Sequence, residues 1–154
     1  MTDREHADSQ TPSIQGSVLG WSLTVLLREW SALVEDISRE LPQGVRGYQV
    51  LSAAVHEPPR SQLALAQRLG IDRTVMTYLI DDLTAAGLIE RQPDPTDRRA
   101  RRLVATDAGR AELRKVERAL RRAEGEALAP LDDDERAAFR ALLCRIARHS
   151  AQSA

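Results

Sequence analysis

The chain has 154 residues, of which 42% are apolar, 29% charged and only 3% aromatic. That length supports one domain with a real core and is short for an enzyme that must enclose a cofactor. A formal net charge of -1 gives no general attraction for nucleic acid, and so few aromatic residues argue against a base-stacking surface of the single-strand type. The one cysteine, Cys144, excludes an internal disulfide and makes the cytosol the natural compartment. No apolar run approaches the roughly eighteen residues of a membrane span, and the N-terminus is acidic and polar where a signal peptide is basic and then apolar. A cytoplasmic location is expected.

In chain order, residues 1–13 are polar and are expected to stay disordered as a tail. From 14 to 41 the pattern is helical, with Leu19, Leu23, Leu26, Leu27, Trp30, Leu33, Val34 and Ile37 at spacings of three and four, and Trp21 partly off that stripe. This helix reads as a plain core helix, as one shared between a core and a partner subunit, or as a wall of a ligand pocket. Pro42 and Gly44 break it, and Tyr48, Leu51, Ala54 and Val55 form a shorter apolar face that ends at His56-Glu57-Pro58-Pro59. His56 beside Glu57 does not make a metal site, because adjacent helical residues point apart and no third ligand is near. Arg60 is placed to begin a very short strand against a later hairpin.

The stretch 61–109 organises the rest. Ser61 caps a first short helix that Gly70 stops, and Asp72 caps a second in which Val75, Leu79 and Leu83 recur every four residues. Leu63, Ala66 and Leu69 of the first and Val75, Leu79, Ile80 and Leu83 of the second are expected in the core. Gly87 ends the second helix. Leu88–Arg91 reads as a strand, Pro93–Arg98 as a loop and Arg101–Ala105 as a returning strand. Helix, turn, helix and hairpin is the order of a winged helix-turn-helix, spanning 46–105, whose second helix enters the major groove of double-stranded DNA. Arg73, Thr74, Thr77 and Tyr78 then lie on its outer side. Arginine can fork onto guanine, threonine can bond a base edge or place its methyl on thymine, and tyrosine can reach a phosphate. Asp81 and Asp82 would repel phosphate, which requires the N-terminal half of the helix to point at the groove. Four arginines in the five residues 98–102 put Arg98 and Arg101 on the wing, as phosphate contacts or with the tip in a narrow minor groove. Asp94 and Asp97 are expected to pair locally and brace the loop.

Thr106 and Asp107 open a long helix in which Leu113, Val116, Leu120, Ala123 and Ala127 approach a heptad seam between charged flanks. Pro130 ends it. Asp132 with Glu135 forms a capping box for a last helix with Phe139, Leu142, Leu143 and Ile146 in one stripe. Cys144 beside that stripe reads as a packed thiol. No nucleophile–base arrangement, carboxylate pair or phosphate loop is present, so no catalytic residues, metal or cofactor are expected. The fold class is mainly α with a small β-hairpin: a winged helix-turn-helix flanked by N-terminal (14–41) and C-terminal (107–150) dimerisation helices. The alternative is a winged module that binds protein, with its arginines serving solubility.

The run Asp94-Pro95-Thr96-Asp97-Arg98-Arg99, then Leu103, Thr106 and Gly109, after Gly87-Leu88-Ile89-Glu90-Arg91, resembles the MarR family of bacterial transcriptional regulators, over about residues 15–150. The resemblance implies a homodimer whose terminal helices interlock and whose winged helices read a palindromic operator, with repression as the expected outcome. It implies that Asp97 and Arg99 brace the wing, that Arg98 sits nearer the DNA-facing tip, and that Thr74, Thr77 and Tyr78 occupy recognition-helix positions. Tyr78 departs from the arginine many relatives carry there. With no cysteine near the N-terminal helices, peroxide sensing by the family's cysteine route is not expected. A cleft for a small aromatic or phenolic effector would be lined by Trp21, Trp30 and Tyr48. Leu113, Val116, Leu120, Phe139, Leu142 and Leu143 are the expected dimer contacts.

Overall fold

The computed structural model describes residues 17–59, 61–93 and 101–152. They form six helices and one hairpin: α1 Val18–Ser38, α2 Gly44–His56, α3 Gln62–Leu69, α4 Arg73–Ala85, β1 Ile89–Pro93, β2 Arg101–Ala105, α5 Asp107–Ala127 and α6 Asp133–Gln152. Hydroxyls and carboxylates at the N-caps satisfy amides that would otherwise have no partner. Ser17 Oγ accepts from Gly20 N–H, Ser61 Oγ from Ala64 N–H and Thr106 Oγ1 from Gly109 N–H. The Asp132–Glu135 box closes reciprocally, at 2.9 Å in both directions.

β1 and β2 pair antiparallel, with Ile89 opposite Ala105, Arg91 opposite Leu103 and Pro93 opposite Arg101. The first strand therefore starts one residue later and runs two residues further than the sequence pattern indicates. Pro93 sits within the ladder at its outer end, where a missing N–H is tolerated. The described sheet has two strands; the strand expected to start at Arg60 falls outside the described residues.

The core sits under α4. Leu51 and Val50 of α2, Leu65 of α3, Met76, Leu79, Ile80 and Leu83 of α4, Ile89 and Leu103 of the hairpin and Leu113 of α5 are all essentially fully buried. Burying each such side chain is worth about 1.5–3 kcal/mol. Two glycines permit close backbone approach. A Cβ on Gly47 would meet the Pro42 carbonyl oxygen at 1.9 Å, and one on Gly109 would meet that of Leu88 at the same distance. The second contact locks the start of α5 onto the end of α4, where Thr106 Oγ1 also donates to the Gly87 carbonyl at 2.6 Å.

Four expectations about packing change. Leu63 is half-exposed rather than in the core, and Met76, not singled out in the sequence, takes a central place in it. Leu113 and Val116 are buried inside the chain's own core, so they do not form a seam left open for a partner. Leu41 is buried in the turn after α1 rather than within the helix. By contrast α6 has no buried residue, and α1 buries only Ser38 completely. No described helix is long and apolar enough to cross a membrane.

Candidate nucleic-acid interface

The buried side of α4 fixes its exposed side. With Met76, Leu79, Ile80 and Leu83 inward, the 3.6-residue period turns Arg73, Thr74, Thr77 and Tyr78 outward, and all four are exposed. The first turn is held by Asp72, whose Oδ1 accepts from Thr74 N–H at 2.7 Å and Val75 N–H at 3.3 Å. Those bonds, the Thr74 amide's above all, hold the Asp72 carboxyl below its ordinary range. A left-handed Gly70, with φ 62°, makes the turn that sets α3 against α4.

Three side-chain contacts at this face were not legible in the sequence. Asp81 Oδ1 pairs with Arg91 Nη2 of β1 at 2.6 Å, joining α4 to the wing. Asp82 Oδ2 accepts from Gln43 Nε2 at 2.6 Å. The two acids expected to repel DNA therefore each have a partner. Gln43 reaches Asp82 from the α2 N-cap, where its φ of 64° makes it the non-glycine residue with left-handed backbone among those described. Thirdly, Gln62 Nε2 donates to Thr77 Oγ1 at 2.8 Å, bringing the start of α3 into the same face. The visible signal was indirect: two adjacent acids on an outward helix face demand partners, but partners 10 and 39 residues away follow no local period.

Arg101 and Arg102 are exposed on β2, and Arg102 Nη2 donates to Gln92 Oε1 at 3.3 Å across the hairpin. Arg98, Asp97 and Arg99, read as wing tip and wing brace, lie outside the described residues, as does Asp94.

The other expected sites are distributed as follows. Trp21 and Trp30 are nine residues apart on α1, half a turn out of phase and about 13 Å apart along the axis. One chain therefore turns them to opposite faces, and they do not line a single wall with Tyr48. Tyr48 is half-buried against the core. Burial raises its phenol above the ordinary value, the charge of Glu117 adds to this, and a hydrogen bond with the Ser52 side chain works against it. Glu117 Oε1 also lies 2.6 Å from His56 Nε2, so His56 ties α2 to α5. Among the described residues no group of three His, Cys, Asp or Glu side chains is placed to hold a metal. Leu120 and Phe139 are half-buried, while Leu142 and Leu143 are 48% and 46% exposed beside an exposed Cys144.

The arrangement defines a winged helix-turn-helix protein: an outward α4 with exposed polar side chains at its N-terminal half, and a basic two-stranded wing tied to it. The MarR family profile matches residues 46–100. A Thauera aromatica protein named as an inferred transcriptional regulatory protein for the hcr operon is 34% identical over 106 residues, 69% of this chain and 64% of that protein. The matched segment is thus just under two thirds of that relative's length. Among solved structures, the transcriptional repressor CouR bound to a 23-mer DNA duplex is 29% identical with a TM-score of 0.67, covering 84% of this chain and 92% of CouR. CouR from Rhodococcus jostii RHA1 bound to p-coumaroyl-CoA is 26% identical with a TM-score of 0.66, covering 85% and 92%. In profile, sequence and fold the chain is similar to the MarR family, whose members are DNA-binding transcriptional regulators.

Proposed function

We propose that this protein is a homodimeric, cytoplasmic transcriptional repressor that reads a palindromic operator through α4 and is released from it by a small aromatic or phenolic effector. The observation that carries the reading is the state of the α4 face. Arg73, Thr74, Thr77 and Tyr78 are all exposed on one side of α4, while Asp81 and Asp82 are each held by another side chain. Specific contacts then come from α4, and salt-dependent affinity from Arg101, Arg102 and the wing-tip Arg98, with Asp97 and Arg99 as its brace.

The dimer is supported by surface that one chain leaves uncovered. Leu19, Leu23, Leu26 and Leu27 of α1 and Leu142, Leu143 and Ile146 of α6 are each about half-exposed or more, which leaves large apolar side chains uncovered on both terminal helices. The effector is supported by CouR, a relative solved with p-coumaroyl-CoA. Such a molecule would bind beside Tyr48 and one of the two tryptophans. If it favours a subunit arrangement that does not fit the operator, it weakens DNA binding by its preference between the two states.

The test is a fluorescence-anisotropy titration of the full chain against genomic DNA fragments over a salt series, paired with sedimentation. The proposal expects tight binding of a few fragments, log affinity falling steeply with log salt, and a particle of twice 17.1 kDa. A 17.1 kDa particle at micromolar concentration, or equal affinity for all fragments, contradicts it.

A further inference from the structure

The hydroxyl of Thr77 is already engaged within the protein. It donates to the Arg73 carbonyl one turn earlier at 3.0 Å and accepts from Gln62 Nε2 at 2.8 Å. A threonine hydroxyl carries one proton and two lone pairs. With that proton on a backbone carbonyl, Thr77 has none left for purine N7 or O6 or for thymine O4. The bond to the carbonyl four residues back also selects its χ1 rotamer. Thr77 is exposed, between Arg73 and Tyr78 on the outward face of α4; with its proton and one lone pair engaged, what it keeps for a base is one lone pair and its γ-methyl. In the major groove the matching apolar feature is the C5-methyl of thymine.

We infer that Thr77 is a specificity-determining residue that selects a thymine by methyl–methyl contact, and that Gln62 is the positioning residue that helps hold it there. The inference rests on the DNA-reading role of α4 proposed above and names what one position of that face reads. The division of labour is chemical. Arg73 keeps a full set of guanidinium donors for guanine or phosphate, whereas Thr77 has no donor to give and contributes an apolar contact. Gln62 enters the DNA-binding face from α3 although nothing in the spacing of the α4 residues points to it.

The experiment uses the full chain and a duplex selected from a random library. Each thymine of the selected site is replaced singly by deoxyuridine, which removes only the C5-methyl. At one thymine in each half-site the replacement should weaken wild-type binding about fourfold, the effect of burying one methyl-sized group. Thr77→Val carries a methyl on both branches of Cβ, presents one without the hydroxyl anchor and should keep that penalty; Thr77→Ser keeps the hydroxyl and should lose it. Gln62→Ala should shrink the penalty to below about twofold while leaving the salt slope unchanged. If a site is selected and bound but no thymine shows a penalty that Thr77→Ser abolishes, the inference is wrong while the DNA-reading role stands. If Thr77→Val abolishes the penalty and Thr77→Ser retains it, the hydroxyl is the reader and the inference is equally wrong. An unchanged penalty in Gln62→Ala removes Gln62 from its positioning role. If no duplex is enriched at all, the role proposed for α4 falls, and this inference with it.

Discussion

Asp81→Asn sets two physical arguments against each other. Asp81 is half-exposed on the outward side of α4, so removing its charge should by simple electrostatics tighten binding to any DNA. The structure adds a second consequence, because Asp81 holds Arg91 of β1 at 2.6 Å and so fixes the wing to α4. An exposed pair of this kind is worth about 0.2–1 kcal/mol to folding. For a chain of this size that lowers the melting temperature by no more than about 4 °C. The larger effect is on recognition. The variant frees one arginine per subunit, which can neutralise one more phosphate, so the slope of log affinity against log salt should steepen by roughly 2 per dimer. Affinity for random DNA should rise while affinity for the operator falls or holds, and the ratio between them should drop. Anisotropy titrations on operator and random duplexes at four salt concentrations measure both quantities. An unchanged slope with an unchanged ratio would show that the Asp81–Arg91 contact neither restrains the arginine nor orients the wing.

Further expectations follow from other contacts. Gly109→Ala places a Cβ 1.9 Å from the Leu88 carbonyl oxygen and should cost about 3 kcal/mol or more in urea unfolding, whereas Gly125→Ala, in open space within α5, should gain about 0.5–1 kcal/mol. The Tyr48 phenol, raised by burial, should titrate by ultraviolet absorbance above the ordinary value of about 10. Since it ionises later in the folded chain, its contribution to stability is whole below that ordinary value and is lost as pH rises through the folded one. Glu117→Gln should lower the midpoint, and a midpoint indifferent to Glu117 would leave burial as the sole cause. Asp72, held low by the Thr74 and Val75 amides, contributes above the ordinary carboxylate value and loses that contribution as pH falls through its folded value. Asp72→Ala should therefore flatten the acid limb of the stability profile, read from melting temperatures between pH 2 and 6. Leu142→Asp should shift the sedimenting species toward monomer and weaken operator binding with it, because a new carboxylate would be buried at the proposed interface.

The parts of this fold that obey short periods were readable from the chain. The caps at Ser61, Asp72 and Thr106, the glycine turn at Gly70 and the alternation around Leu103 each encode local geometry within a few residues. Which side of α4 faces outward followed from its apolar side alone. What escaped was tertiary. The apolar spacing of Leu113 and Val116 is the same whether they meet their own domain or a partner's helix, and only the packing of the whole core assigns them inward. The Trp21–Trp30 separation carries enough phase to set the two rings apart, yet a shared residue type suggested one pocket. In the sequence, Asp81 and Asp82 read as acids that turn the N-terminal half of α4 toward the groove, with no partner assigned to either. Their partners, Arg91 and Gln43, became visible only once β1 and the α1–α2 turn were placed against α4.

The central claim is that two copies of α4 read the two halves of one symmetric site. The most direct measurement is a hydroxyl-radical footprint of the full chain on a genomic fragment that it retains at physiological salt. The account predicts two protected tracts related by a dyad, with half-site centres one helical turn, about 10–10.5 base pairs, or a multiple of it apart. Protection should be lost at both halves together in Thr74→Ala, Thr77→Ala double variants. A single asymmetric tract, or a symmetric footprint untouched by those substitutions, would contradict it.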